Sequence, residues 1–200
     1  MAALSVVVAN RDAPRDGRGA AAALARELDP GDEVLWVDRT GAGAPAELAG
    51  ARVVEAPGGA DRGTCYGLGL AVAGNPFVAF TDSRTVVGAG WRPAAVAALD
   101  AGATFVGGPV IASEPRSRRG WAGFFVDYGP HAVAPYTSAS GDISGNNVAY
   151  RRDALPDDGA HVWKHADDAR LHEAGIRPVV VEGMAVTVER DYGWSALGPA

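Results

Sequence analysis

Short apolar runs alternate with alanine-rich segments in the first half of the chain, and this alternation limits the possible folds most strongly. The runs are rich in β-branched or aromatic residues and are bounded by Gly, Pro or Asp, which is typical of buried strands. They lie at residues 5–9, 33–37, 52–55 and 77–81. Helical composition is found at residues 19–28, 64–73 and 93–101. The pattern predicts an α/β fold, with a mainly parallel sheet covered by helices on both faces.

Polar residues follow three of these predicted strands at the point where each strand ends. They are Asn10, Asp38 and Asp82. The carboxyl ends of parallel strands meet at one edge of a sheet, and ligands of such folds bind in the crevice outside that edge. We therefore expect these three residues to converge on one binding crevice.

Composition narrows the class of protein further. A chain of 200 residues with 48% hydrophobic residues fits one compact domain, and its net charge of -6 argues against binding to nucleic acid phosphates. A single cysteine, Cys65, excludes an intrachain disulfide framework and favours a reducing compartment. No apolar run approaches the roughly 20 residues that cross a bilayer. We expect a cytoplasmic protein without a transmembrane segment.

The second half of the chain has a different character. Residues 107–136 hold several aromatic residues among Gly and Pro without a clear period, which predicts a long ordered loop over the crevice. Residues 167–174 have the pattern of a helix that ends at Gly175. Two further strands are predicted at residues 178–181 and 185–188.

Three segments together resemble the family-2 glycosyltransferases of the GT-A fold, over roughly residues 4–188. They are residues 4–11 with 33–38, residues 58–84 with 90–91, and residues 141–152 with 163–175. The resemblance implies one GT-A-like domain over residues 1–200, with a nucleotide-binding half at about 1–106 and an acceptor-binding half at about 107–190. It implies transfer of a sugar from a nucleoside diphosphate sugar to an acceptor, by an inverting displacement.

In that family the aspartate after the second strand lies against the nucleotide base, and Asp38, with the Asn10 region, holds the matching position. A carboxylate can accept a hydrogen bond from a base N–H, although an aspartate that caps a turn at a strand end would look the same in sequence. Arg62, within the second segment, is a further candidate for nucleotide binding. The Arg-Asn pair that the family usually carries in the following helix is absent, and Cys65-Tyr66 stands in its place.

Family members usually carry Asp-x-Asp after the fourth strand, because two carboxylates can hold Mg²⁺ or Mn²⁺ against a diphosphate. Here the motif is Asp82-Ser83-Arg84. Asp82 remains as a metal ligand, but a guanidinium replaces the second acid, so metal binding is expected to be weak or absent. Arg84 could pair with the diphosphate directly. In the alternative interpretation, Asp82 forms a local turn and Arg84 is solvated.

The third segment resembles the acceptor side of the family. Asn146 and Asn147 are candidates for contacts with sugar hydroxyls, and Trp121 for acceptor binding. The position of the usual acidic base falls at residue 163 or 164, where Trp and Lys stand. The substitutes that could deprotonate an acceptor are Asp168 first, then Asp167, Asp142 and His165. Acids at a helix start are equally well explained by the helix dipole.

These departures leave two other functions open. One is a catalytically degenerate nucleotide-sugar-binding or scaffold protein that serves as a partner subunit or forms a homo-oligomer. The other is a GT-A-fold enzyme repurposed for another reaction, since fold alone does not determine function. A Rossmann dinucleotide fingerprint and a phosphate-binding P-loop are both absent from the sequence.

Overall fold

A computed structural model describes residues 2–11, 17–113, 118–132, 143–155 and 170–188 of the chain. The α-helices that lie wholly within these residues are α1 (Gly17–Glu27), α2 (Arg62–Leu70), α3 (Trp91–Asp100) and α4 (Arg118–Tyr128), and residues 170–173, part of the helix predicted at 167–174, are helical as well. The strands are β1 (Leu4–Asn10), β2 (Glu33–Asp38), β3 (Arg52–Glu55), β4 (Phe77–Asp82), β5 (Thr85–Val87), β6 (Phe105–Gly107), β7 (Val110–Ala112), β8 (Val148–Arg151), β9 (Val179–Val180) and β10 (Val186–Val188).

The main sheet has seven strands in the order β3-β2-β1-β4-β8-β6-β9. Strands β1 to β4 pair in parallel, whereas β8 runs antiparallel to its neighbours β4 and β6. A smaller sheet has the order β5-β10-β7, in which β10 is antiparallel to β5 and parallel to β7. The predicted α/β architecture with a mainly parallel sheet is confirmed.

Alternate residues of β1 build two cores on opposite faces of the main sheet, as the two-residue period of a strand requires. Val8 belongs to the core that includes Leu24 of α1 and Val96 of α3. Val7 belongs to the core that includes Leu70 of α2. Because β1 is buried on both faces, its residues 6–9 form a continuous apolar run rather than an alternating pattern.

Helix α2 packs unusually close to the sheet and thereby fixes its first residue at the crevice. Asp61 caps the helix, its carboxylate accepting from the backbone N–H of Thr64 at 2.7 Å. A Cβ atom at Gly69 would lie 2.3 Å from the Cγ1 of Val7, so only glycine permits this approach. In a strand–helix–strand unit the helix begins at the carboxyl edge of the sheet, which is where Arg62 lies.

The predicted strands and helices of the first half are confirmed, with boundaries that shift by up to three residues. The long loop predicted over residues 107–136 is wrong, because this stretch contains β7 and α4. Phe124 and Tyr128, four residues apart on α4, are buried, while Trp121 and Phe125 are largely exposed. Two glycines and these exposed aromatics hide the helical period from the sequence.

An arginine clamp joins α3 to the amino-terminal edge of the sheet, opposite the crevice. The buried guanidinium of Arg92 donates to both carboxylate oxygens of Asp32, each at 2.9 Å, and to the backbone carbonyl of Ala2 at 3.0 Å. Burial alone would raise the pKa of Asp32, but the hydrogen bonds from Arg92 and from the backbone outweigh burial and hold the pKa below its ordinary value.

Candidate functional site

The three polar residues at the strand ends converge as predicted. Asn10 and Asp38 are register partners on neighbouring strands, and the side-chain amide of Asn10 donates to Asp38 Oδ1 at 2.9 Å. Asp82 lies across from Ala9, one residue before Asn10, and the backbone N–H of Ser83 donates to the Ala9 carbonyl. All three therefore lie at the same carboxyl edge of β1, β2 and β4.

The carboxylate of Asp38 organises the loop that follows β2. Its Oδ1 accepts from Asn10 and from both the backbone and the hydroxyl of Thr40, and its Oδ2 accepts from the Gly43 N–H at 2.7 Å. Burial alone would raise the pKa of Asp38, but these hydrogen bonds outweigh burial and hold it below the ordinary value. The group is thus an ionised acceptor, and Oδ2 retains capacity for another donor.

Asp82 forms the local turn that one interpretation of the sequence predicts. Its Oδ1 accepts from the Arg84 N–H at 3.1 Å and from the Thr85 hydroxyl at 2.8 Å. Its Oδ2 faces the Arg62 guanidinium, 3.6 Å from the nearest Arg62 nitrogen. Both carboxylate oxygens therefore have partners, one within the turn and one on α2.

A crevice lies outside these strand ends, and its described lining is strongly basic. Arg62 and Arg84, both nucleotide-binding candidates, lie together here with Asp82. Arg11 adds a third guanidinium, and Tyr128 of α4 closes one side. The described lining consists of Ala9, Arg11, Arg62, Asp82, Ser83, Arg84, Tyr128 and Val188.

The groups around Asp82 do not provide the oxygen ligands of a divalent metal site. Hard cations such as Mg²⁺ and Mn²⁺ bind several oxygen ligands, with at least one or two carboxylates available. The first Asp82 oxygen is taken up by the turn, the second faces a guanidinium, and Arg84 stands where the second acid would be. Among the residues that the structure describes, no three His, Cys, Asp or Glu side chains cluster as metal ligands would.

Asn146 and Asn147, the predicted acceptor contacts, are both fully buried. Asn147 accepts from the Trp91 indole N–H at 2.8 Å and donates to the carbonyls of Gly108 and Met184, so both of its amide hydrogens have acceptors. It fastens the smaller sheet to the main one. Its predicted contact with an acceptor stays a prediction, and this placement gives it a structural role in addition.

Asn146 connects to the crevice through a short chain of hydrogen bonds. Its amide donates to the Thr85 hydroxyl at 2.9 Å, and Thr85 in turn donates to Asp82. The same amide lies 3.3 Å from the Tyr128 hydroxyl. Asn146 thus helps to hold both Asp82 and Tyr128 in place from beneath the crevice.

Trp121 lies on α4, the helix whose last residue lines the crevice. Its indole is 43% exposed and stacks on Phe125, with ring centroids 5.9 Å apart at an interplanar angle of 26°. An exposed, supported aromatic surface of this kind suits contact with the apolar face of a sugar. The acceptor role of Trp121 stays a prediction.

The sequence motifs assign no role to several residues that lie in or near the site. Tyr66 and Tyr128 lie beside Arg62, and Arg39 donates to the backbone carbonyls of Ala60 and Arg11, which joins three loops of the crevice. One signal was available for Tyr66: it lies four residues after Arg62, on the same helix face. The base candidates Asp142, His165, Asp167 and Asp168 lie outside the described residues.

No protein-family model and no curated protein sequence matches the chain. None of the helices in the described ranges combines the length and apolar character that a membrane span requires.

Solved structures nevertheless share its fold. The chain is similar to residues 1–349 of Staphylococcus aureus TarS in complex with UDP-GlcNAc, with a TM-score of 0.69 and 16% identity over 98% of this chain and 61% of that one. It is similar to a mycobacterial protein, with a TM-score of 0.63, 19% identity, and coverage of 98% and 70%. It is also similar to the mannosyltransferase PcManGT from Pyrobaculum calidifontis in complex with GDP-Man and Mn²⁺, with a TM-score of 0.59, 18% identity, and coverage of 97% and 59%.

The chain spans less than two thirds of the TarS and PcManGT chains. These structures share the fold of the chain over 97–98% of its length. The chain therefore has a GT-A-like fold, shared with the TarS structure and with a solved mannosyltransferase.

Proposed function

We propose that the chain binds a nucleoside diphosphate sugar in this crevice and transfers the sugar to an acceptor. The observation that carries the proposal is the convergence of Asn10, Asp38 and Asp82 with Arg62 and Arg84 at one sheet edge. The same fold in TarS and PcManGT, whose structures hold UDP-GlcNAc and GDP-Man, supports it. We infer a family-2-like transferase that acts in the cytoplasm.

The nucleobase of the bound nucleotide is proposed to lie beside Asp38 and Asn10. Because Asp38 is an ionised acceptor, it favours a base that presents an N–H, as uracil and guanine do, over one that presents only an acceptor there. The diphosphate then extends toward Arg62 and Arg84, which stabilise the charge that develops on it as the sugar departs.

The acceptor is proposed to approach from the half at about residues 107–190, beside Trp121, with Asn146 and Asn147 supporting that side. An inverting displacement needs one base that removes the proton from the attacking hydroxyl. Asp168 is our first choice for this base, followed by Asp167, Asp142 and His165. The base takes the proton while the bond from the sugar carbon to the diphosphate oxygen breaks.

A second function is favoured by the altered acids of the site. Asp82 has partners for both carboxylate oxygens, and Lys164 stands where the resemblance expects a base. Both changes are compatible with a protein that binds nucleotide sugars as a scaffold or partner subunit and no longer transfers them. Turnover separates this function from the first, whereas binding is common to both.

A thermal-shift panel of nucleoside diphosphates and their sugars, with and without Mn²⁺, tests the shared binding step. At a ligand concentration of about 100 times Kd, binding stabilises the native state by roughly 2.7 kcal/mol, which raises the Tm of a chain of this size by about 5 to 10 °C. We expect such a shift with uridine or guanosine diphosphates and none with free sugars. If no nucleotide shifts the Tm under either condition, the proposed function is wrong.

A further inference from the structure

The misfit between Asp82 and a divalent metal raises the question of what neutralises a bound diphosphate. The crevice already contains a positive charge at the position beside Asp82 where a metal ion would bind. There the Arg62 guanidinium faces the only Asp82 oxygen that the turn leaves available. Thr85 and Asn146 hold that carboxylate from below, so its position does not depend on a ligand. The carboxylate orients an arginine here rather than an ion.

Arg62 also retains an unused donor. Its Nε is buried and has no hydrogen-bond partner among the described residues, and the same is true of the hydroxyl of Tyr66 one turn later on α2. A buried donor without an acceptor destabilises the folded state. Arg62 itself lines the crevice, so an oxygen-rich group that binds there completes the hydrogen bonding of its Nε.

The electrostatic surroundings keep Arg62 charged. Burial alone would lower the pKa of its guanidinium, but the negative charge of the neighbouring Asp82 carboxylate raises it. Burial also raises the pKa of the Tyr66 hydroxyl, which therefore remains protonated and able to donate.

The charge of the crevice matches a diphosphate without any added ion. Arg11, Arg62 and Arg84 with Asp82 leave a net charge of +2 among the described lining residues. A diphosphate that is esterified at both ends carries one negative charge on each phosphate. A divalent cation added beside Asp82 would be repelled by three nearby guanidinium groups.

We propose that Arg62 is a permanent cation of this crevice, and that it binds the diphosphate of the nucleotide sugar in place of a divalent metal ion, with Arg11 and Arg84 beside it. The proposal rests on the proposed function for the identity of the ligand. Asp82 is then a positioning residue for Arg62. The diphosphate oxygens accept from the Arg62 guanidinium, including its Nε.

Calorimetric titration of the intact chain with UDP, GDP and inorganic pyrophosphate, each in EDTA and in Mn²⁺, tests this inference. We expect the tighter-binding nucleotide to have the same Kd in both conditions within about threefold. Arg62→Met should raise the Kd of this nucleotide about 10- to 100-fold, because hydrogen bonds to a charged group are lost. The Kd of the corresponding nucleoside, which lacks the phosphates, should change less than about threefold.

The matched control is Arg52→Met, which removes the same charge from an exposed position on β3 and should leave all affinities unchanged. If Arg62→Met does not fold, Arg62→Lys keeps the charge but loses the planar fork, and should weaken nucleotide binding without creating a need for Mn²⁺. Far-UV circular dichroism verifies the fold of each variant.

The outcomes separate this inference from the proposed function. Nucleotide binding that requires Mn²⁺, or that is unchanged in a folded Arg62 variant, overturns the inference and leaves the proposed function intact. Binding of pyrophosphate that depends on Arg62, without binding of either nucleotide, supports the arginine site and contradicts the proposed function. If neither pyrophosphate nor nucleotide binds, both are wrong.

Discussion

Replacing Arg92 by methionine should lower the free energy of unfolding by about 3 kcal/mol, because removing one member of a buried ion pair leaves the other charged and unpaired. The Arg92 side chain is 3% exposed and that of Asp32 is fully buried. Methionine preserves much of the apolar stem of the side chain, so the loss reports on the guanidinium. Urea denaturation at neutral pH measures the change.

Arg151→Met is the matched control. Arg151 also forms a two-point ion pair, with Asp153, but both side chains are largely exposed, and its removal should leave the denaturation midpoint nearly unchanged. A double variant, Arg92→Met with Asp32→Asn, should lose less than the sum of the two single changes, because no buried charge then remains unpaired. Equal denaturation midpoints for Arg92→Met and Arg151→Met would contradict the claim that the Arg92–Asp32 ion pair stabilises the fold.

Asp168→Asn should reduce the turnover of a sugar donor by about 10² to 10⁴-fold, the usual contribution of a general base. The amide is similar in shape but cannot take a proton, so nucleotide affinity should stay nearly unchanged. Turnover is measured as release of the nucleoside diphosphate in the presence of an acceptor, and affinity by calorimetry.

Asp167→Asn is the matched control for this change. The sequence predicts that both residues lie on one helix, where neighbours point about 100° apart, so only one is expected to face the crevice. His165→Gln and Asp142→Asn complete the set. Full activity in all four single variants would reject this choice of base. A native chain that binds nucleotide but turns over no donor with any acceptor would favour the scaffold function instead.

The strand ends of the first half were the most predictable part of the site. Asn10, Asp38 and Asp82 each follow an apolar run that is long enough to be a buried strand, and parallel pairing then requires them to share an edge. The turn at Asp82 was predictable as well, because an aspartate side chain readily accepts a hydrogen bond from the backbone N–H two residues later, here that of Arg84.

Tertiary contacts explain what could not be predicted. The amide of Asn147 suits a sugar hydroxyl as well as a backbone carbonyl, and only the approach of Gly108 and Met184 assigns its hydrogens to carbonyls. Helix α4 was missed because its stability comes from packing of Phe124 and Tyr128 rather than from a regular apolar period.

The pairing of Arg62 with Asp82 joins residues 20 positions apart in sequence, on α2 and at the end of β4. No local motif records this contact. It follows from the close packing of α2 on β1, for which Gly69 provides the space. The sequence shows the replacement of an acid by Arg84, but the fold shows that a second arginine already faces the remaining acid.

A crystal structure of the chain with UDP or GDP, grown without divalent metal, would locate the nucleotide. We expect the nucleobase to lie against Asp38 and Asn10, with one of its N–H groups directed at Asp38 Oδ2, and the diphosphate to contact Arg62 and Arg84. A nucleotide bound at another surface, or one whose phosphates point away from Arg62 in this crevice, would contradict this expectation.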